Sequence, residues 1–119
     1  ELLARVRHTL SAVMLPILDA QAGGQDRSPR ITYGTILSGD AYLHCAVTRQ
    51  RWHRELSGSA VEMEGAAVAQ VCAAFGVPWL VIRALSDLAG HDPDIDFTLY
   101  TTQVARSAVH LVHALLPVI

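Results

Sequence analysis

Lysine is absent from this chain. All nine basic residues are arginine, set against eleven acids, and the formal net charge is −2. That balance offers no cationic surface for nucleic acid or an anionic membrane. The two cysteines, Cys45 and Cys72, allow one disulfide at most and make no disulfide framework. No apolar run approaches the length needed to span a bilayer, and no signal-peptide pattern is visible. A cytoplasmic location is therefore the default expectation, although the chain opens on Glu1 and not on Met. There is no serine in a nucleophile elbow and no Gly-rich phosphate loop. Internal repeats and low-complexity tracts are also missing. His44, Cys45 and His53 lack a zinc spacing. Asp92, Asp94 and Asp96 alternate as in a calcium loop, but Phe97 stands where that loop needs Gly and Gln103 where it needs Glu. His110 and His113 read as a pair on a helix face, not a metal site. No metal or organic cofactor is expected.

What is present is apolar: 51% of residues are hydrophobic and 17% charged. That composition suits one small, core-rich domain. Leu3, Val6, Leu10, Val13, Met14 and Ile17 recur at helical spacing, so residues 2–20 read as a helix that Pro16 kinks or ends early. The Gly, Pro and polar residues of 21–30 make a loop. RITYGTIL, 30–37, reads as a strand stopped by Ser38-Gly39-Asp40. A short helix is expected over 46–56 and a turn at Ser57-Gly58-Ser59. A strand at 60–62 then leads into a helix at about 64–75, with Val68, Val71, Cys72 and Phe75 as its apolar stripe, Gly76 as C-cap and Pro78 blocking continuation. PWLVIRAL, 78–85, suits a strand buried on both faces. Asp96 looks like the N-cap of a last helix over 97–115, buried along Tyr100, Val104, Ala108, Leu111 and Leu115. The order implies an α/β fold with a largely parallel core.

In open α/β sheets, ligands sit beyond the carboxyl ends of the strands. Here Ser38, Gly39 and Asp40 follow the first strand, Glu62 and Glu64 close the second, and Arg83, Ser86 and Asp87 close the third. Three segments thus bring acids, an arginine and serines to one edge. Arg83 interrupts an apolar run, and a charge there needs a partner. Taken singly, these residues have plainer readings. Glu62 suits a solvated strand end, Met63 core filling, Tyr42 a half-buried aromatic, and Asp40 a turn brace.

Taken together, YGTILSGDAY, AVEMEGAAVAQVCAAFGVP and VIRALSDLAG resemble the nucleoside phosphorylase/hydrolase superfamily, and within it the 5′-methylthioadenosine/S-adenosylhomocysteine nucleosidases. The resemblance runs from about residue 31 to the end. It implies that residues 1–119 are the C-terminal half of a three-layer α/β/α domain with a mixed, largely parallel central sheet, the N-terminal half being absent from this chain. The implied reaction is hydrolysis of the N-glycosidic bond, releasing adenine. Asp87 would be the general acid at purine N7, and Ser86 would orient its carboxyl. Glu64 would accept hydrogen bonds from the ribose hydroxyls while Met63 packs against the sugar. Glu62 and Arg83 would lie near the attacking water. Tyr42 would stack on the purine, and Leu43 would contact the base edge through its backbone. The implied partners are a small-molecule nucleoside, a second copy in a homodimer, and a second chain carrying the N-terminal half. Alone, this chain would be inactive. Two alternatives remain open: a purine nucleoside phosphorylase that uses phosphate as nucleophile, and an inactive fragment.

Overall fold

The computed structural model describes residues 1–85 and 96–119. They form two units. One joins Glu1–Thr32 to Pro93–Ile119, and the other is the continuous stretch Tyr33–Asp92.

The discontinuous unit is helical. Helix α1 spans Leu2–Leu10 and α4 spans Phe97–Leu115, with a 3-10 turn at Ala20–Ala22 between them in sequence. α1 ends well before residue 20. A proline at 16 disfavours helical backbone at Leu15, and its ring would meet the carbonyl of Ala12. Ser11 closes the last turn, its Oγ donating to the His8 carbonyl at 2.7 Å. α4 has the expected bounds. Asp96 sits before its first turn in extended backbone, and its Oδ1 accepts the Leu99 N–H at 2.9 Å. The buried positions of α4 are Tyr100, Ser107, Leu111 and Leu115. Ser107 therefore takes the inward place expected for Ala108, which is exposed. Tyr100, Leu111 and Leu115 keep their expected inward places, Val104 is half-buried, and the buried positions still follow the 3.6-residue period.

α1 packs on α4. Among the described residues, Val6 and Leu10 from α1, Leu15, Ala22, and Tyr100, Leu111 and Leu115 from α4 are the buried apolar side chains. The 3-10 turn is tied to α4 by polar bonds. The Asp19 N–H donates to Gln103 Oε1 at 2.9 Å, Gln103 Nε2 donates back to Asp19 Oδ2 at 2.6 Å, and the Asp96 N–H donates to the Gln21 carbonyl at 2.7 Å.

The continuous unit is α/β. Strand β1 (Thr35–Ser38) and strand β2 (Gly58–Glu62) pair in parallel, with Ile36 opposite Ala60, Leu37 opposite Val61 and Ser38 opposite Glu62. Parallel neighbours need a crossover, and helix α2 (Ala46–Leu56) lies within it and packs on β2. The turn from α2 into β2 is tight. Ser57 takes the left-handed cap conformation at φ 54°, and His53 Nδ1 meets the Gly58 carbonyl at 2.8 Å. Helix α3 (Gly65–Ala74) packs on β1. Gly76, at φ 66°, ends it as expected, and the Val77 N–H returns to the Cys72 carbonyl at 2.8 Å.

Four expectations for this unit need correction. β2 begins at Gly58, paired with Thr35, so Gly58 and Ser59 belong to the strand and not to the expected turn. β1 begins at Thr35 and includes Ser38, because a strand's bounds are set by its partner and Thr35 is the first residue that has one. PWLVIRAL joins no ladder among the described residues. An apolar run favours burial but does not supply a neighbour to pair with, and Trp79, Ile82 and Leu85 are exposed. The apolar stripe of α3 is uncovered too. Val68 and Val71 are exposed, Phe75 is 80% exposed, and Cys72 is half-buried. Gly65 is the one buried position among the described residues of this unit.

Candidate functional site

β2 ends in Glu62, and α3 begins three residues later. The first amides of a helix have no partner inside it and attract an acceptor, preferably a negative one. Glu62 fills that place. Its Oε2 accepts the Glu64 N–H at 3.0 Å, and its two oxygens share the Gly65 N–H at 2.9 and 2.7 Å. The next amide, that of Ala66, donates to Ser38 Oγ at 2.8 Å. The Ser38 hydroxyl in turn donates to Glu62 Oε1. Ser38 can do this because the parallel register sets it directly opposite Glu62. An acid and a hydroxyl at two adjacent strand ends therefore take up three successive amides at the start of α3.

Gly65 makes the approach possible. A Cβ at this position would lie 2.9 Å from Glu62 Oε1, inside ordinary contact distance. The carboxylate is also fixed from outside the helix. Arg83 Nη2 donates to Glu62 Oε2 at 2.5 Å and to Glu64 Oε2. One nitrogen thus bridges two acids that would otherwise repel each other.

The three charges differ in exposure. The Glu62 side chain is 8% exposed, Arg83 37% and Glu64 70%. Glu62 is held well below the usual carboxylate range, at about 2 against an ordinary 4.5, first by the Ser38 hydroxyl and then by Arg83, with the two backbone amides adding to them. Arg83 is shifted upward by hydrogen bonds to Glu62 and then Glu64. Glu62 is therefore an ionised acceptor at neutral pH, already engaged by donors of its own chain. Glu64 is the carboxylate that faces solvent, and Arg83 holds it by one oxygen. Such an arrangement can present a fixed anion to a polyhydroxylated ligand.

The structure thus brings Glu62, Glu64 and Arg83 together, as their strand-end positions suggested. Met63 lies between the two acids and is half-exposed. Tyr42, 69% exposed, stacks on His44 with ring centroids 6.1 Å apart and planes at 19°. Leu43 between them is half-buried. Ser86 and Asp87 lie outside the described residues. Sequence reasoning placed Ser38 at this edge, as the polar stop of β1, but gave it no partner. Its partnership with Glu62 follows from the parallel pairing of two segments 24 residues apart, which no local pattern states.

The chain matches the model of the phosphorylase superfamily over residues 2–117. It is 58% identical over 115 residues to proteins named 5′-methylthioadenosine/S-adenosylhomocysteine nucleosidase from Mycobacterium tuberculosis (strain CDC 1551 / Oshkosh) and Mycobacterium bovis, and each match covers 97% of this chain and 45% of the relative. A protein of the same name from Bacillus pumilus is 42% identical over 87 residues, covering 70% of this chain and 36% of the relative. The chain therefore spans less than half the length of these curated relatives. No solved structure matches it significantly.

Proposed function

Because the chain belongs to the phosphorylase superfamily, we propose that it forms the C-terminal half of a nucleosidase that hydrolyses the N-glycosidic bond of 5′-methylthioadenosine and S-adenosylhomocysteine. In this reading the complete domain is a three-layer α/β/α structure with a mixed, largely parallel sheet, and it works as a homodimer. The observation that carries the reading is the carboxylate pair of β2 and α3. The inner acid, Glu62, is engaged by its own chain, and the outer one, Glu64, is exposed and tethered by Arg83. A ribose offers two adjacent hydroxyls, and a fixed, ionised carboxylate is the acceptor they need. The 58% identity to the mycobacterial nucleosidases supports the choice of substrate.

Each remaining residue has a place in the reaction. Asp87 protonates purine N7 as the glycosidic bond breaks, so that adenine leaves as a neutral base. Ser86 orients that carboxyl. Charge grows on the ribose as the base departs, and the anionic Glu64 at its hydroxyls and Met63 against its apolar face hold the ring in place. Arg83, with Glu62 behind it, stands where the attacking water approaches. Tyr42 stacks on the purine and Leu43 meets the base edge through its backbone. The acid must be protonated at neutral pH, which calls for a desolvated position.

The test is adenine release from 5′-methylthioadenosine by the complete enzyme, with and without phosphate. Turnover that needs no phosphate supports hydrolysis, and strict phosphate dependence refutes it. Asp87→Asn removes the proton that N7 requires. The rate should fall roughly a hundredfold or more, the usual contribution of a positioned general acid. An unchanged rate would remove Asp87 from the role.

A further inference from the structure

Glu62 is gripped by two kinds of donor. The amides of Glu64 and Gly65 belong to the segment that follows it, and they fix the carboxylate relative to the start of α3. They do not fix it relative to the rest of the sheet. Ser38 does. It is the one donor to Glu62 that comes from β1, and its own oxygen is pinned by the Ala66 N–H at 2.8 Å. Beyond Glu62, the chain of contacts continues to Arg83 Nη2 and then to Glu64 Oε2. The exposed Glu64 can follow its own rotamers except where Arg83 restrains it, and Arg83 is restrained by Glu62.

We infer that Ser38 is a positioning residue of the nucleoside site, fixing the ribose-facing carboxylate of Glu64 through Glu62 and Arg83. The inference rests on the nucleosidase reading for the identity of the ligand, a ribose diol. Without the hydroxyl, the Glu62 carboxylate loses its bond to β1, although the backbone pairing remains, and the Ala66 amide loses its acceptor. The carboxylate is then held only by the amides at the start of α3 and by Arg83, and the geometry at Glu64 loosens. Small misplacements of a binding group are costly when the group must meet two hydroxyls at once. Hydrogen bonds of this chain are charge-assisted and share donors and acceptors in series, so losing the first link is felt at the last.

The experiment compares wild type, Ser38→Ala and Ser38→Thr in the complete enzyme. Two quantities are read: the titration midpoint of the Glu62 carboxyl by 13C NMR, and kcat and KM for adenine release from 5′-methylthioadenosine. In Ser38→Ala the midpoint should rise from about 2 towards 4.5. kcat/KM should fall roughly tenfold, chiefly through KM, as loss of one charge-assisted bond implies. Ser38→Thr keeps the hydroxyl and should restore both. A Ser38→Ala protein that is merely less stable, with the Glu62 midpoint unmoved, overturns the inference. So does a moved midpoint with unchanged kcat/KM. If wild type releases no adenine, the nucleosidase reading falls, and the ribose role of Ser38 falls with it. The Glu62 midpoint then still decides whether Ser38 braces the carboxylate.

Discussion

Lowering the pH is the most direct perturbation of the Glu62 cluster, and its outcome can be worked out in advance. An unconstrained glutamate titrates near 4.5, whereas Glu62 in the folded chain titrates at about 2. At pH 4.5 the unfolded side chain is half protonated and the folded one only about one part in 300; at pH 3 the folded fraction is still about one in ten. The folded form therefore binds fewer protons than the unfolded form throughout this window. The sign follows: the stability that Glu62 contributes is complete above pH 4.5 and is lost as pH falls towards 2. The Ser38 hydroxyl is the largest cause, so the effect reports the strand-to-strand contact and not merely the presence of Arg83. The assay is a carboxyl 13C titration of Glu62 alongside acid unfolding followed by circular dichroism. Glu62→Gln should flatten the acid limb between pH 4.5 and 2 while costing stability at neutral pH. A wild-type midpoint near 4.5 would refute the reasoning, since it would mean that the donors around the carboxylate do not hold in solution.

The helical unit yields two further predictions. Leu115 is 2% exposed and packs in the α1/α4 core, so Leu115→Ala should cost about 2–5 kcal/mol in chemical denaturation. Val112→Ala, at a half-exposed position of the same helix, should stay within about 1 kcal/mol, and equal costs would mean that the core does not lie on this face. Asp96→Ala removes the acceptor for the Leu99 amide and should cost about 1 kcal/mol, whereas Asp96→Asn should retain most of the cap. An alanine variant as stable as wild type would show the cap to be idle.

What could be read from the sequence divides by range. The ends of α4 and α2 and the cap at Gly76 depend on residues within one helical turn, and they were legible. So was the gathering of Glu62, Glu64 and Arg83, because strand-end acids beside an arginine in an apolar run point to an ion pair. The early end of α1 needed the reach of Pro16 to be taken as far back as residue 12. The inward place of Ser107 was hidden because a serine does not register in an apolar pattern. The bounds of β1, the lack of a ladder at PWLVIRAL among the described residues and the bond from Ser38 to Glu62 depend on which segment lies alongside. Pairing is non-local, and hydrophobicity does not encode it. Asp87 and Ser86, identified by resemblance, lie outside the described residues and wait on the activity assay.

The reciprocal bonds between Asp19 and Gln103 join residues 84 positions apart, and this has a consequence on the ribosome. The α/β unit is one uninterrupted stretch, so its strands and helices can meet as soon as they emerge. The helical unit is split around it. Within this stretch, Val6 and Leu10 emerge from the exit tunnel well before Tyr100, Leu111 and Leu115 of α4, with which they share a core. At ordinary synthesis rates of roughly 5–20 residues per second, that wait lasts on the order of 5–20 s. Throughout it, α1 is a short amphipathic segment whose contacts to α4 are still unmade. The order of translation thus separates α1 from its α4 partners by the whole α/β unit.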